Sequence, residues 1–486
     1  MFFLSPIVKI LTGQRGIGEE IASAICGYRT VRVAVMGSKR CGKTVLLTSL
    51  ANHLREHDIQ LLNLDGTRAV WDKTAIKGSS IDGMPLFDYG KARQSLAKGE
   101  WPEKSAEASV LAMRLKLKDR KGRKEEVLLE ILDIPGERVA DFSMMGKSYE
   151  EWCEWMENNL GGPNSGNTSY REYEEFLEQN DFVGKAEIIG RYKDFLAAQY
   201  ASFSPCITPS TVKLELDGTP HGGSVENFRR EMDAVPVGLR GKNDKALEFV
   251  PLPASAFSSG SKLSKLAAEF GKNYKQYVKR VVRPMEKWLS STRKLFYLVD
   301  VPSLLQAGSK AWNAEKNHGE AAIGALCPAS GNSMLERLWK WTKNLFWKTE
   351  INAAYVVATK SDIVLSGADR ENLCSLADSL FGRVLGILDS SVKTEILSCA
   401  AVKTTEEVTA GGKRGLEGRL DREGDKKTWV PSPVPESIPR STEEWEKSKL
   451  EGRFNYQFPF PGFDVAEVCP PPHLGLDYIA REMLSI

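Results

Sequence analysis

The sequence predicts an α/β protein: a mostly parallel six-stranded sheet with helices on both faces, an α-helical insertion, and a small β-rich subdomain. Three observations carry that prediction. A strand-like apolar run, Val31-Arg-Val-Ala-Val-Met36, passes through a Gly-rich turn, Gly37-Ser-Lys-Arg-Cys-Gly-Lys43-Thr44, into an amphipathic helical run opening at Val45. Near-continuous apolar runs of strand length recur at 127–132, 295–301, 353–358 and 395–402, as strands buried on both faces do. Residues 138–294 show helical rather than strand spacing.

Composition narrows class and compartment. Lys+Arg 66 against Asp+Glu 64 leaves no charge excess for a phosphate backbone, so no nucleic acid partner is expected. The eight cysteines stand singly, without a C-x-x-C pair, which argues against a zinc site or a disulfide framework and for a reducing compartment. No run approaches the roughly 18 to 20 apolar residues of a membrane span. The apolar start Met-Phe-Phe-Leu lacks a basic region and a cleavage site. The expectation is a cytoplasmic protein.

In chain order, Ile17, Ile21 and Ile25 set a leading helix that ends near Gly27. G-x4-G-K-T between a strand and a helix is a phosphate-binding P-loop. Gly37 and Gly42 permit a partly left-handed backbone, so that the loop through Ser38, Lys39, Arg40 and Cys41 can turn its N–H groups toward an anion. The helix start at Lys43, Thr44 and Val45 adds its positive dipole end. Lys43 is expected to reach the outer phosphates, and the Thr44 hydroxyl to ligate Mg2+.

A polar stretch at 57–108 precedes an alternating strand, Met113–Lys118, a turn, and the buried strand Val127–Leu132. This second strand ends in Asp133-Ile-Pro-Gly136. An Asp there can hold Mg2+ through water, and Gly136 presents a bare N–H to a terminal phosphate. Helices follow near 149–155, 170–177, 188–200 and 266–283, the last ending at Arg283-Pro284 with Lys272, Lys275, Lys279 and Arg280 on a solvated face.

The strand Leu295–Val301, a single helix over 303–326 and the strand Ala353–Ala358 resume the α/β pattern. The last of these ends in Thr359-Lys-Ser-Asp362, an [NT]-K-x-D pattern. The Asp362 carboxylate would accept both the ring N1–H and the exocyclic amine of guanine, which adenine does not present, with the Lys360 stem along the base. Upstream, Trp339, Trp341 and Trp347 interleave with lysines; a helix flank packed on the domain is expected, with a membrane interface or base stacking as the alternatives. The sixth strand ends in Ser398-Cys-Ala-Ala, where Cys399, Ala400 and Ala401 would bring a backbone N–H to the guanine oxygen. A Gly- and Pro-rich excursion then leads to a terminal helix at 476–484.

These motifs, in order, make the chain similar to P-loop GTPases. Finer landmarks narrow the likeness: Trp101-Pro-x-x-Ser105, Asp133-x-Pro-Gly-Glu137, Val281-Val-Arg-Pro284, Leu298-Val-Asp-Val301, Ala358-Thr-Lys-Ser-Asp362 and Pro472-His-Leu-x-Leu-Asp477. They resemble the bacterial YcjX-like family of P-loop GTPases, from about residue 31 to 485. The resemblance implies a Ras-like G domain in two parts, 1–137 with the leading helix and 295–402. It implies a helical insertion at 138–294, a small β-rich subdomain at 403–472, and a terminal G-domain helix at 473–486. It also implies GTP and GDP as substrate and product and Mg2+ as cofactor. The family is linked to stress responses, sometimes beside an inner-membrane partner. Expected partners are therefore guanine nucleotide, a protein effector that the sequence does not name, and a membrane protein or membrane surface, with the protein peripheral to the inner membrane.

Carried over residue by residue, Gly37 to Thr44 match the P-loop, Asp133 and Gly136 the second switch, and Thr359, Lys360 and Asp362 the base site. Ser105 falls where the family has Thr after Trp-Pro and is the expected first-switch Mg2+ ligand, beside Thr44 and Asp133. Lys43, Thr44, Asp133 and Gly136 are the expected catalytic set. Glu137 stands where Ras has the glutamine that orients water, and a carboxylate beside a γ-phosphate repels it. The expectation is a nucleotide-controlled switch with slow Mg2+-dependent hydrolysis, whose loops at 100–108 and 136–148 order around the γ-phosphate. Arg138 and Arg40 are expected to be surface arginines rather than cis arginine fingers. The alternatives are a nucleotide-gated scaffold or remodelling protein at a membrane and an ATPase or kinase, against which Thr359-Lys-Ser-Asp362 argues.

Overall fold

The computed structural model describes residues 29–38, 40–56, 68–71, 80–81, 83–103, 107–118, 124–161, 167–179, 184–201, 208–215, 224–240, 244–327, 350–422, 424–439, 442–448, 450, 452–461 and 470–485. The predicted leading helix, Lys39, Ser105 and the tryptophans at 339, 341 and 347 lie outside the described residues.

The apolar runs build one seven-stranded sheet. Its strands are β1 (Arg29–Gly37), β2 (Arg68–Trp71), β3 (Ser109–Lys118), β4 (Lys124–Asp133), β5 (Lys294–Val299), β6 (Ala353–Thr359) and β7 (Lys393–Cys399). They lie in the order β2-β3-β4-β1-β5-β6-β7. β4, β1, β5, β6 and β7 are parallel, while β3 runs antiparallel to both β4 and β2. The sequence predicts six strands. The seventh, β2, is four residues long at the sheet edge, too short for alternation to stand out from the polar stretch around it.

Side chains alternate across the sheet, and the two faces bury separate cores. Val33 and Val35 of β1 join Leu46, Leu50, Phe296, Ile479 and Met483 on one face, beneath α1 (Lys43–Glu56) and the terminal helix. Ala34 and Met36 join Leu132, Tyr297 and Val356 on the other, and that core runs on into the helices between β4 and β5.

After α1 comes α2 (Tyr89–Ala97), capped by Asp88 within the polar stretch at 57–108. Between β4 and β5 the described residues form a 3-10 helix (Gly136–Met144) and α3 (Tyr149–Met156), α4 (Thr168–Gln179), α5 (Lys185–Ala201), α6 (Val225–Asp233), α7 (Ser264–Tyr277) and α8 (Arg283–Leu289). Buried aromatics hold this bundle: Trp152 stacks on Tyr274 at 5.3 Å between ring centroids and meets Phe249 edge-on at 5.8 Å. The irregular run Phe249–Leu252 is buried, and tyrosine hydroxyls satisfy its carbonyls, Tyr149 donating to Val250 O at 2.6 Å and Tyr173 to Pro251 O at 2.7 Å. The helix expected to stop at Pro284 continues. A π turn at Val278–Val282 links α7 to α8, and Pro284 sits in the first turn of α8, directly after the irregular turn.

The single helix expected after β5 is two. Asp300 caps α9 (Val301–Ala307), with Ser303 N–H donating to its Oδ1 at 3.0 Å, and Gly308 at φ 88° turns the chain into α10 (Ser309–Leu326). Helix α11 (Gly367–Leu385) packs beside α10 on the same face, and α12 (Leu476–Leu484) closes the opposite one. Gly319 of α10 faces Phe381 and Tyr297, and a Cβ there would overlap the Phe381 ring. Gly319→Ala is therefore expected to destabilise by about 1–2 kcal/mol, overpacking outweighing the better helix propensity of alanine. A lowered urea midpoint checks this; an unchanged or raised midpoint contradicts it.

Beyond β7 a small three-stranded antiparallel sheet forms from β8 (Glu406–Ala410), β9 (Lys413–Arg419) and β10 (Lys426–Trp429). Its first hairpin turns at Gly411-Gly412, at φ 58° and 78°, the two left-handed positions that a two-residue hairpin of this kind requires. Phe460 N–H donates to Arg419 O at 2.8 Å, which anchors the later segment 452–461 to this sheet. Among the described residues no helix is long and apolar enough to cross a membrane.

Candidate functional site

The P-loop links β1 to α1 as expected. Gly37 (φ 145°) and Gly42 (φ 94°) take up the left-handed positions. A Cβ on Gly37 would collide with the Leu298 carbonyl oxygen at the end of β5, so the loop rests directly on the neighbouring strand. Arg40 also holds a left-handed backbone, φ 68°, which a non-glycine residue adopts at a cost. Lys43 Nζ bends back over the loop and donates to Gly37 O at 2.7 Å and Ser38 O at 3.1 Å. Burial pulls the Lys43 pKa down, but the Asp133 and Glu137 carboxylates around it push it back up, and it ends above the ordinary lysine value. Burial raises the Cys41 thiol to about 11, so it stays protonated at neutral pH rather than acting as a redox-sensitive thiolate.

Asp133 closes β4, in register with Val35 of β1, and is fully buried. Gly136 packs against the P-loop so closely that a Cβ would meet the Gly37 carbonyl oxygen. Glu137 is buried at the same place. Burial raises its pKa, yet Lys43 and the local backbone bonds lower it further, so the carboxylate is ionised and paired electrostatically with Lys43.

The segment after Glu137 departs from expectation. All residues from Gly136 to Met144 are buried in the 3-10 helix, wedged between the sheet and the helical bundle. Arg138, expected on the surface, is 8% exposed. It donates to Ser210 Oγ at 2.9 Å and Tyr277 OH at 3.2 Å and pairs with Asp141 at 3.4 Å. Asp141 in turn accepts from Ser210 N–H (2.8 Å), Ser210 Oγ (2.6 Å) and Tyr277 OH (2.8 Å). Asp141 is three residues away, but Ser210 and Tyr277 lie 72 and 139 positions along the chain, and it is these distant partners that make Arg138 internal.

At the end of β6, the Thr359 hydroxyl donates to Val299 O at 3.2 Å. Lys360 is left-handed (φ 58°), pairs with Asp300, and points its ammonium at Phe458, 4.7 Å from the ring centroid. Asp362 is 4% exposed and accepts from Thr404 N–H at 2.6 Å and Thr404 Oγ1 at 2.8 Å. Burial raises its pKa, and the Thr404 bonds work against that rise. Of the expected backbone donors, Ala400 N–H is already committed to Leu474 O at 2.9 Å, the bridge that ties the approach to α12 onto β7.

One cavity of about 570 Å3 joins these parts. Arg40 to Val45 line one region, and Thr359, Lys360, Asp362 and Cys399 to Ala401 another. Gly37, Ser38, Asp133 and Gly136 are not among its lining residues. The sequence reading missed three contributors. Thr404 braces Asp362, and the proline-flanked aromatics Trp101 and Phe458, each 37% exposed, wall the same cavity. Arg422, just beyond β9, pairs with Glu100 beside Trp101, which ties this loop to the small sheet. The available signal was the aromatic beside proline in each loop. Among the described residues there is no cluster of three or more His, Cys, Asp or Glu suited to a metal. Thr44 and Asp133 still offer the hard hydroxyl and carboxylate oxygens that Mg2+ takes alongside phosphate.

The chain matches the family model described as YcjX-like family, DUF463, over residues 31–218 and 235–485. It is similar to the Ras-like GTPase YcjX of Shewanella oneidensis, 23% identical over 478 residues that cover 92% of this chain and 90% of that protein. It is also similar to the Ras-like GTPase YcjX of Escherichia coli, 24% identical over 487 residues that cover 92% of this chain and 94% of that protein.

Proposed function

The chain belongs to the YcjX-like family, and from that membership we propose that it binds GTP and GDP and hydrolyses GTP slowly, as a nucleotide-controlled switch. The observation that supports this most is the single cavity that runs from the P-loop to Asp362, a buried carboxylate aimed by Thr404. In this reading the loop N–H groups and Lys43 hold the outer phosphates, and Asp362 reads the N1–H and amine edge of guanine. Thr44 and Asp133 would hold Mg2+, which would supply neutralisation of the phosphate charge. Glu137 keeps its negative charge beside Lys43, so it opposes the γ-phosphate and orients water poorly. Positioning and charge neutralisation then carry catalysis, and hydrolysis is slow. Gly136 packs on the P-loop and continues into the buried 3-10 helix, so the γ-phosphate acts through a packed segment rather than a free loop.

The test is calorimetric titration of nucleotide-free protein, with Mg2+, against GDP, a GTP analogue, ADP and an ATP analogue. Guanine nucleotides are expected to bind at least ~100-fold tighter, about 2.7 kcal/mol. Equal binding of adenine nucleotides removes the base assignment, and no binding removes the reading.

A further inference from the structure

Beneath the P-loop, three buried polar side chains form a line that the nucleotide chemistry above does not use. Glu315 and His318 project from α10 and Tyr297 from β5, all at most 7% exposed. The Tyr297 hydroxyl lies 2.8 Å from Glu315 Oε1 and 2.9 Å from His318 Nδ1. His318 Nε2 lies 2.7 Å from Gly136 O. At the other end the Ser38 side chain of the P-loop hydrogen-bonds the Glu315 carboxyl.

The donor count orders this line. A carbonyl oxygen only accepts, so His318 Nε2 carries hydrogen and donates to Gly136. A neutral His318 then accepts at Nδ1, and the one proton of Tyr297 goes there. The 2.8 Å contact to Glu315 is a hydrogen bond only if Glu315 donates to the Tyr297 oxygen, which requires the protonated acid. The other fully bonded arrangement, imidazolium with carboxylate, puts two charges in the interior. Burial disfavours both: it holds His318 down to about 4 and raises the Glu315 carboxyl above its ordinary value.

We propose that protonated Glu315, Tyr297 and His318 are positioning residues, a relay that runs from Ser38 of the P-loop to the Gly136 carbonyl and sets the second switch against the γ-phosphate. The two peptides that flank Gly136 are each pinned. Pro135 O accepts from Arg138 N–H at 2.9 Å, and Gly136 O accepts from His318. The relay therefore fixes the peptide plane that leads into Glu137. This inference rests on the GTPase reading, and it concerns the γ-phosphate rather than the base or the inner phosphates.

The test compares Tyr297→Phe, His318→Phe and Glu315→Gln in the full chain, measuring GDP affinity, GTP-analogue affinity and single-turnover GTP hydrolysis. Tyr297→Phe and His318→Phe are expected to keep GDP affinity within about twofold and to lose roughly 10-fold or more in hydrolysis, the scale on which a mispositioned group acts. Their GTP-analogue affinity falls while GDP affinity holds. Glu315→Gln is expected to behave as wild type, because an amide N–H donates to Tyr297 as the acid does and its oxygen still accepts from Ser38. The relay is overturned if Glu315→Gln matches Tyr297→Phe, if Tyr297→Phe is unchanged, or if GDP and GTP-analogue affinities fall together, as plain structural damage would cause. Should wild type prefer adenine nucleotides, the GTPase reading fails, and the same comparison with ADP and an ATP analogue decides the relay. Absence of any nucleotide binding overturns both.

Discussion

Asp362→Ala is expected to weaken GDP binding about 10²- to 10³-fold and to leave ADP binding unchanged, a loss of ~3–4 kcal/mol from two charge-assisted hydrogen bonds. The argument is geometric. Asp362 is buried, and Thr404 donates twice to its Oδ2, so the carboxylate is held in one orientation before any base arrives. Pre-orientation of this kind keeps the ordering cost out of the binding step. Asp362→Asn sharpens the test. The amide oxygen can still accept from N1–H, but the amide N–H2 faces the guanine amine, donor against donor. Xanthine carries a carbonyl at that position, so the Asn variant is expected to prefer XDP over GDP. Titration of the wild type and both variants with GDP, XDP and ADP reads the outcome. Equal loss of GDP and ADP in Asp362→Ala would mean that Asp362 holds the loop rather than reads the base.

The second large effect belongs to Arg138. Arg138→Ala is expected to destabilise the fold by about 3–5 kcal/mol, because it leaves Asp141 charged and buried with its cation gone. Asp141 is fully buried and, among the described residues, keeps Ser210 and Tyr277 as hydrogen-bond donors. Asp141→Asn in the same chain is expected to recover part of the loss, since it removes the stranded charge while leaving a side chain that still accepts. Urea unfolding of the two single variants and the double variant measures the coupling. A cis arginine finger would behave in the opposite way, with stability intact and hydrolysis lost, and that result would reject the structural role assigned to Arg138.

Both predictions show where sequence information stops. The P-loop, Asp133-Ile-Pro-Gly136 and Thr359-Lys-Ser-Asp362 were legible because each occupies a few consecutive residues at the end of a strand. There the chain must turn, and residue types are restricted by backbone conformation, as Gly37 and Gly42 with positive φ illustrate. The central parallel strands β5 and β6 were legible for a similar reason: burial on both faces demands a near-continuous apolar run, whereas the edge strand β7 is only half-buried. The edge strand β2 was not, since four residues paired only to β3 leave no period to read.

What this sequence determined by itself is therefore local: a glycine-rich loop between a strand and a helix, a buried α/β sheet, and the two motifs that follow at strand ends. The tertiary structure alone decided which distant residues those motifs depend on. Thr404 reaches Asp362 across 42 positions, Arg138 meets Ser210 across 72, and His318 meets the Gly136 carbonyl across 182. A hydrogen bond constrains the positions of two atoms and leaves the chain between them free in length and composition. No periodicity or spacing encodes such a pair, and only the packing of α10 and the helical bundle around the sheet brings them together.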